Sequence, residues 1–181
     1  KHSIIDDYKF FDFLIKNFKK IINLNKPYIN KAIYKSCLIK KKIVEKDEKE
    51  KNLRKKLNLG HTFAHSYEAT YNYSRGLNHG EAVLLGIKSA SEFSYKKKIL
   101  PYSDYKMIAN HILEINKSLK IINYFKENES EKLLGFMKND KKNTNNRINL
   151  ILINKIGKVS YNNYFELKEI LKFIKNQFYN I

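Results

Sequence analysis

Apolar residues recur every three or four positions over most of this chain, which is the spacing of helices with one buried face. Over residues 6–24 these are phenylalanine, leucine and isoleucine residues, and they predict one amphipathic helix. Pro27 and Pro101 suit the first turn of a helix, where the missing N–H group costs little. The spacing predicts further helices over residues 27–43, 53–71, 79–93, 101–115, 121–125 and 130–137.

The pattern changes near the C-terminal end. The runs RINLILI and KVSYN have the composition of β-strands, and the residues NKIG between them suit a hairpin turn. Helical spacing returns in FELKEILKFIKNQF. Because the 181 residues contain no repeat and no long linker, we predict one all-α domain with a small β-hairpin near the C-terminus.

Basic residues outnumber acidic ones, with 36 Lys and Arg against 18 Asp and Glu and a net charge of +18. Such a surplus can attract nucleic acid, a membrane or a phosphorylated substrate. The lysines are spread along the whole chain, however, and only Arg54, Arg75 and Arg147 are arginines. We therefore attribute the charge to general composition and expect neither a nucleic-acid nor a membrane partner.

The composition also bears on cellular location. Cys37 is the single cysteine, which excludes an internal disulfide and fits a reducing compartment. A membrane-spanning helix requires an apolar run of about 18 residues, and the chain has none. Its first residues are charged where a signal peptide is apolar. We expect a cytoplasmic protein.

The segment around LNLGHTFAHSYEA carries the candidate chemistry. Glu50, Arg54, Asn58, His61 and His65 follow one another at steps of four, four, three and four residues. On one continuous helix they would form a single polar stripe. An acid, a guanidinium group, an amide and two imidazoles more often line a wet cleft than pack on a core, although a solvated helix face is the simpler alternative.

A third histidine strengthens the case for a site. His79 lies in NHGEAV, where a helix is predicted to begin after a glycine-bearing loop. A catalytic zinc ion takes three protein ligands and keeps one position open for substrate. Two of the histidines at positions 61, 65 and 79 would therefore need a third group, and the spacing does not decide which two bind the metal.

These two motifs resemble the signature of the 3-dehydroquinate synthase family, within the sugar phosphate cyclase superfamily. The segments KHSIIDDYKFFDFL and SCLIKKKIVEKDEKEKNLRKKLN before them, and MKNDKK ahead of RINLILINKIG, are also similar to the family's. The resemblance covers nearly the whole chain and is sharpest over residues 1–86. It implies the C-terminal helical domain of such an enzyme, with the NAD-binding α/β domain not included in residues 1–181.

The resemblance also implies roles for single residues. His61 and His79 would bind the metal, with a glutamate three residues before Lys1 as the third ligand. Four residues would bind the substrate: Lys40, Arg54, Asn58 and Lys142. Lys141 is the alternative to Lys142. The catalytic residues would be His65, Glu50 and Lys1.

The activity implied is the conversion of 3-deoxy-D-arabino-heptulosonate 7-phosphate to 3-dehydroquinate and phosphate, a step of the shikimate pathway. It would use Zn²⁺ or Co²⁺ and NAD, in a homodimer. Arg and Lys suit the carboxylate and phosphate of such a substrate. Without the NAD-binding domain we expect the isolated chain to be inactive. The alternatives are another cyclase of the superfamily and a basic helical nucleic-acid-binding module.

Overall fold

The computed structural model describes residues 1–139 and 147–179, and it confirms the predicted all-α fold with one antiparallel hairpin. Three short 3-10 helices span Leu53–Asn58, Ile121–Asn123 and Glu127–Glu129. The α-helices and strands are α1 (His2–Asp6), α2 (Tyr8–Lys16), α3 (Phe18–Ile22), α4 (Lys26–Lys46), α5 (His61–Thr70), α6 (His79–Lys96), α7 (Tyr102–Ile115), α8 (Ser130–Lys138), β1 (Arg147–Lys155), β2 (Lys158–Glu166) and α9 (Leu167–Asn176). No helix in the described ranges is both long enough and apolar enough to cross a membrane.

Most of the predicted helices are confirmed. The apolar spacing located α4, α6, α7 and α8, and the hairpin turn lies where NKIG predicted it. Residues 121–125 form only a 3-10 turn. Strand β2 continues to Glu166, so α9 begins two residues later than the helical spacing suggested.

The predicted single helix over residues 6–24 is wrong, because two polar residues interrupt it. Asp7 has an extended backbone, and its carboxylate accepts the backbone N–H of Phe10 at 2.9 Å, which caps α2. Asn17 leaves the helical conformation between α2 and α3, and its amide donates to the carbonyl of Phe13 at 2.9 Å. These local hydrogen bonds replace those of a continuous helix.

The predicted helix over residues 53–71 is also wrong in its first half. A 3-10 helix covers Leu53–Asn58, and α5 begins only at His61. Gly60 separates them with φ of +79°, a left-handed conformation that favours glycine. The five polar residues at positions 50 to 65 therefore do not lie on one helical stripe.

Helix α6 forms the centre of the core. Its buried face packs on α5, α7 and β1. The ring of Phe93 lies edge-on to Phe165 of β2 and to Phe173 of α9, at centroid distances of 4.8 and 4.9 Å. Ser94 receives the backbone N–H of Ile153 at 3.0 Å, which attaches β1 to the same helix. The hairpin is thereby fixed on α6.

The backbones of α5 and α6 meet at two glycines. A Cβ atom on Gly86 would collide with the carbonyl oxygen of Gly60, and one on Gly60 would lie 2.6 Å from the backbone nitrogen of Ile87. Only glycine permits this approach, because any side chain would force the backbones apart. The contact brings the beginning of α5 close to α6.

Candidate active site

Three histidines predicted from the sequence come together where α5 and α6 begin. His61 is the first residue of α5, and His79 is the first residue of α6. The ring of His61 lies 5.6 Å from that of His65 and 6.0 Å from that of His79, measured between centroids. Asn78 and Glu81 form a capping box that sets the start of α6 and so the position of His79.

The hydrogen bonds of two histidines leave the same ring nitrogen available. His61 Nδ1 lies 3.2 Å from the carbonyl oxygen of Leu59, and His79 Nδ1 lies 2.9 Å from Oε1 of Glu68. A carbonyl and an ionised carboxylate can only accept, so Nδ1 carries the proton in both rings, and in the neutral form of each ring Nε2 has the lone pair. Metal-binding histidines usually have this arrangement.

The residues present fit a divalent metal ion. Two imidazoles on one tetrahedral zinc ion have ring centroids roughly 5 Å apart. The ring of His61 lies 5.6 Å from that of His65 and 6.0 Å from that of His79, so the spacing suits a shared metal but does not decide which pair binds it. The described residues do not bring three histidine, cysteine or acidic side chains together in a metal-binding group. A complete metal site would therefore need a further ligand.

Electrostatics connects two predicted lysines to this cluster. Burial, and then the charge of Lys1, lowers the pKa of His61 to about 4, so its imidazole is neutral near pH 7. Burial, and then the charge of Lys40, lowers the pKa of Lys1. Lys1 thus adds positive charge beside His61, and Lys40 lies near Lys1.

A cavity of about 400 Å³ lies beside His61 and His65, and His79 is not among the residues that line it. Glu50 and Asn58 line it, and Asn58 Nδ2 donates to Glu50 Oε1 at 2.5 Å. Glu50 has a positive φ of 54°, which is uncommon for a residue with a side chain. The other lining residues come from the 3-10 helix, α5 and the hairpin: Lys55, His61, Thr62, His65, Asn149, Ile151, Tyr161 and Tyr164.

Two of the predicted substrate-binding residues, Arg54 and Lys40, do not line the cavity. Arg54 does not line it, because its guanidinium Nη1 donates to the carbonyl oxygen of Glu48 at 2.6 Å. Lys142 and its alternative Lys141 lie outside the described residues. Lys40 is related to the site only through its effect on Lys1.

Several residues of the site were missed in the sequence. Glu68 follows His61 by seven residues and His65 by three, so helical spacing alone could have identified it. Tyr161 and Tyr164 could not be found in this way, because they reach the cavity through the packing of the hairpin. Lys55 Nζ donates to Asn162 Oδ1 at 3.2 Å and connects the 3-10 helix to that hairpin.

The fold is shared with solved synthases. The 2-epi-5-epi-valiolone synthase ValA from Streptomyces hygroscopicus subsp. jinggangensis 5008, with NAD⁺ and Zn²⁺ bound, matches 99% of this chain and 49% of its own with a TM-score of 0.81 and 15% identity. A 2-deoxy-scyllo-inosose synthase complexed with carbaglucose-6-phosphate, NAD⁺ and Co²⁺ matches 82% of this chain and 41% of its own, with a TM-score of 0.65 and 21% identity. At these identities the likeness establishes the fold alone.

Sequence similarity identifies the family. The 3-dehydroquinate synthase C-terminal family matches residues 1–143. The 3-dehydroquinate synthase of Pelagibacter ubique is 49% identical over 177 residues, which are 98% of this chain and 48% of that protein. That of Dictyoglomus thermophilum is 39% identical over 179 residues, 97% of this chain and 48% of that protein. The chain belongs to the 3-dehydroquinate synthase C-terminal family, and it spans about half the length of these relatives.

Proposed function

We propose that this chain forms the metal- and substrate-binding half of a 3-dehydroquinate synthase. It would act with an NAD-binding α/β domain, and the two together are called the complete enzyme below. The observation that carries the proposal is the cluster of His61, His65 and His79 beside a cavity lined by Glu50 and Asn58. Family membership makes 3-deoxy-D-arabino-heptulosonate 7-phosphate the proposed substrate.

The histidines have different proposed roles. His61 and His79 hold the metal through Nε2, and a carboxylate from outside this chain completes the ligand set. When bound, the metal and NAD supply a Lewis acid and a transient oxidant for one substrate hydroxyl. His65 is exposed beside His61, and histidine is the side chain used most often for proton transfer in enzymes.

Glu50 is the second proposed proton acceptor. Asn58 donates to Oε1 of Glu50 and so holds that carboxylate in one orientation. Oxidation of a neighbouring hydroxyl makes a C–H bond of the substrate acidic, and removal of that proton permits phosphate to leave. A fixed carboxylate in the cavity is suited to this proton transfer.

The cationic residues are proposed to bind the anionic groups of the substrate. Lys40 and Lys142, or Lys141 in place of Lys142, can contact the carboxylate and phosphate by charge-assisted hydrogen bonds. Lys1 is proposed as a catalytic residue beside them. Arg54 would do the same after its guanidinium leaves the carbonyl of Glu48, which lies in the loop before the 3-10 helix.

Phosphate release tests the proposal. We expect the complete enzyme to release phosphate from 3-deoxy-D-arabino-heptulosonate 7-phosphate with no net consumption of NAD, and residues 1–181 alone to give no turnover. Faster turnover of sugar phosphates without a carboxylate would instead favour another cyclase. Salt-dependent binding of random duplex DNA without metal retention would favour the nucleic-acid alternative.

A pair of variants separates the two histidine roles. In the complete enzyme, His61→Ala should lose both metal and turnover, because a ligand is removed. His65→Ala should lose turnover and keep the metal. Elemental analysis and phosphate release measure the two properties, and retention of metal and turnover by His61→Ala would contradict the ligand assignment.

The homodimer and the cytoplasmic location stay predictions, which sedimentation and fractionation can test.

A further inference from the structure

Glu68 is a carboxylate beside the site with no role among the residues considered so far. Its Oε1 lies 2.9 Å from Nδ1 of His79, and the pair joins α5 to the first residue of α6. The side chain of Glu68 is 12% exposed, whereas that of His79 is 62% exposed. The acid is therefore held within the protein, and the imidazole extends from it towards solvent.

We propose that Glu68 is a positioning residue for the metal site, which fixes the ring of His79 and raises the affinity of its Nε2 for the metal. The inference rests on the proposed function, because it requires His79 to be a ligand. A carboxylate on Nδ1 keeps the proton on that nitrogen and limits rotation of the ring. Its negative charge also makes the opposite nitrogen a stronger donor to a cation.

The two proposed ligands differ in how much support they need. His61 is half-buried, and the backbone carbonyl of Leu59 orients it within its own chain segment. His79 is exposed, and its orienting partner is the side chain of Glu68 on another helix. Removal of that one side chain takes away the partner of His79 Nδ1, so the orientation of His79 should depend on Glu68.

Another explanation is that the Glu68–His79 pair only fastens α5 to α6. The two explanations predict different measurements. A fastening contact stabilises the protein whether or not metal is bound. A positioning contact changes how tightly the metal is held and how its ligands are arranged.

The test uses Glu68→Ala and Glu68→Gln in the complete enzyme, with metal affinity measured by competition with a chromophoric chelator. We expect Glu68→Ala to hold Zn²⁺ about 10- to 100-fold more weakly. Glu68→Gln should lie between that variant and the wild type, because an amide oxygen still accepts the Nδ1 proton without the charge. The visible spectrum of the Co²⁺ form should change in both variants.

Glu131→Gln is the matched control. Glu131 is an exposed carboxylate on α8 that pairs with Lys175 at 3.7 Å, and its loss should leave Zn²⁺ affinity and the Co²⁺ spectrum unchanged. The melting temperature of the metal-free Glu68 variants should also match that of the wild type. Unchanged affinity and spectrum in Glu68→Ala, or an effect limited to the metal-free melting temperature, would overturn the inference.

His79→Ala separates this inference from the proposed function. If His79→Ala loses the metal while Glu68→Ala keeps full affinity, the metal site stands and the role of Glu68 is rejected. If His79→Ala keeps the metal, the ligand assignment itself fails, and the inference with it. If both are correct, adding Glu68→Ala to His79→Ala should produce no further loss of affinity, because Glu68 acts through His79.

Discussion

The two sides of the candidate site are built from different kinds of structure. The histidine side consists of His61, His65 and His79, which stand at or near the beginnings of two helices packed closely together. The acid side consists of Glu50 and Asn58, which lie in a loop and a 3-10 helix facing the hairpin. Regular helices hold one side, and side-chain hydrogen bonds and hairpin packing hold the other.

This difference suggests a division of labour. Metal ligands tolerate little displacement, so closely packed helix ends suit them. A proton acceptor and substrate-binding groups must follow a substrate that changes shape during the reaction, which a loop and a 3-10 helix permit more easily. Variants on the acid side should therefore alter turnover with the metal retained, whereas variants of His61, of His79 or of the glycines that pack their helices together should alter metal binding or folding.

The largest expected effect comes from Glu50→Gln on the acid side. Loss of a general acid–base group lowers turnover by about 100- to 10,000-fold, and the metal content of the complete enzyme should stay unchanged because the histidines are untouched. Phosphate release and elemental analysis measure both. Glu48→Gln, two residues earlier on an exposed side chain, should have nearly wild-type turnover. Loss of metal from Glu50→Gln would contradict the proposed separation of the two sides.

The histidine side is sensitive through its glycines. In Gly86→Ala the new Cβ would meet the Gly60 carbonyl, so α5 and α6 must separate. Overpacking of this kind costs about 1–3 kcal/mol in the free energy of unfolding, which urea titration measures. Gly135→Ala on α8 is the control, because its new Cβ would meet no atom within 4 Å. Its free energy of unfolding should rise by about 0.5–1 kcal/mol, since alanine favours a helix more than glycine does. Unchanged stability in Gly86→Ala would show that the helices are not so tightly packed.

The same contrast explains which parts could be predicted from the sequence. The helix α6 was found because the apolar spacing and the glycine-bearing loop before His79 agree on where it begins. His61, His65 and His79 were grouped through short-range spacing and the family resemblance. The packing that brings their helices together was not predicted, because it depends on Gly60 lying against Gly86, 26 positions later in the chain.

The acid side was predicted for a wrong structural reason. Glu50 and Asn58 were placed on a helical stripe with His61, yet they reach the cavity from a loop and a 3-10 helix. Apolar spacing could not reveal this break, because its causes are a left-handed glycine at Gly60 and an aspartate, Asp47, whose carboxylate binds backbone N–H groups ahead of the helix. Such side-chain bonds compete with helix formation and leave no periodic signal.

The smallest expected effect on turnover comes from a variant of Asp47, which holds the loop of the acid side in place. Its carboxylate accepts the backbone N–H groups of Lys51, Asn52 and Arg54 at 2.9, 2.7 and 3.0 Å. Asp47→Ala should speed hydrogen exchange of these amides and lower turnover several-fold, with metal content unchanged. Asp12→Ala is the control, since that carboxylate pairs with Lys16 on α2. Unchanged exchange in Asp47→Ala would show that other contacts hold the loop.

The pH dependence of the same loop follows from its hydrogen bonds. The backbone N–H groups of Arg54 and Asn52 hold the pKa of Asp47 below its ordinary value. A pKa that is lower in the folded protein means that the carboxylate supports the loop above about pH 4, the ordinary range of aspartate, and that this support is lost as the pH falls through the folded value. Exchange of the three amides, corrected for the intrinsic rate, should therefore be constant from pH 7 to pH 5 in the wild type. A rise in corrected exchange within that interval would mean that a group other than Asp47 controls the loop. In Asp47→Ala, the three amides should exchange at pH 7 as fast as the wild type does only in acid, after correction for the intrinsic rate.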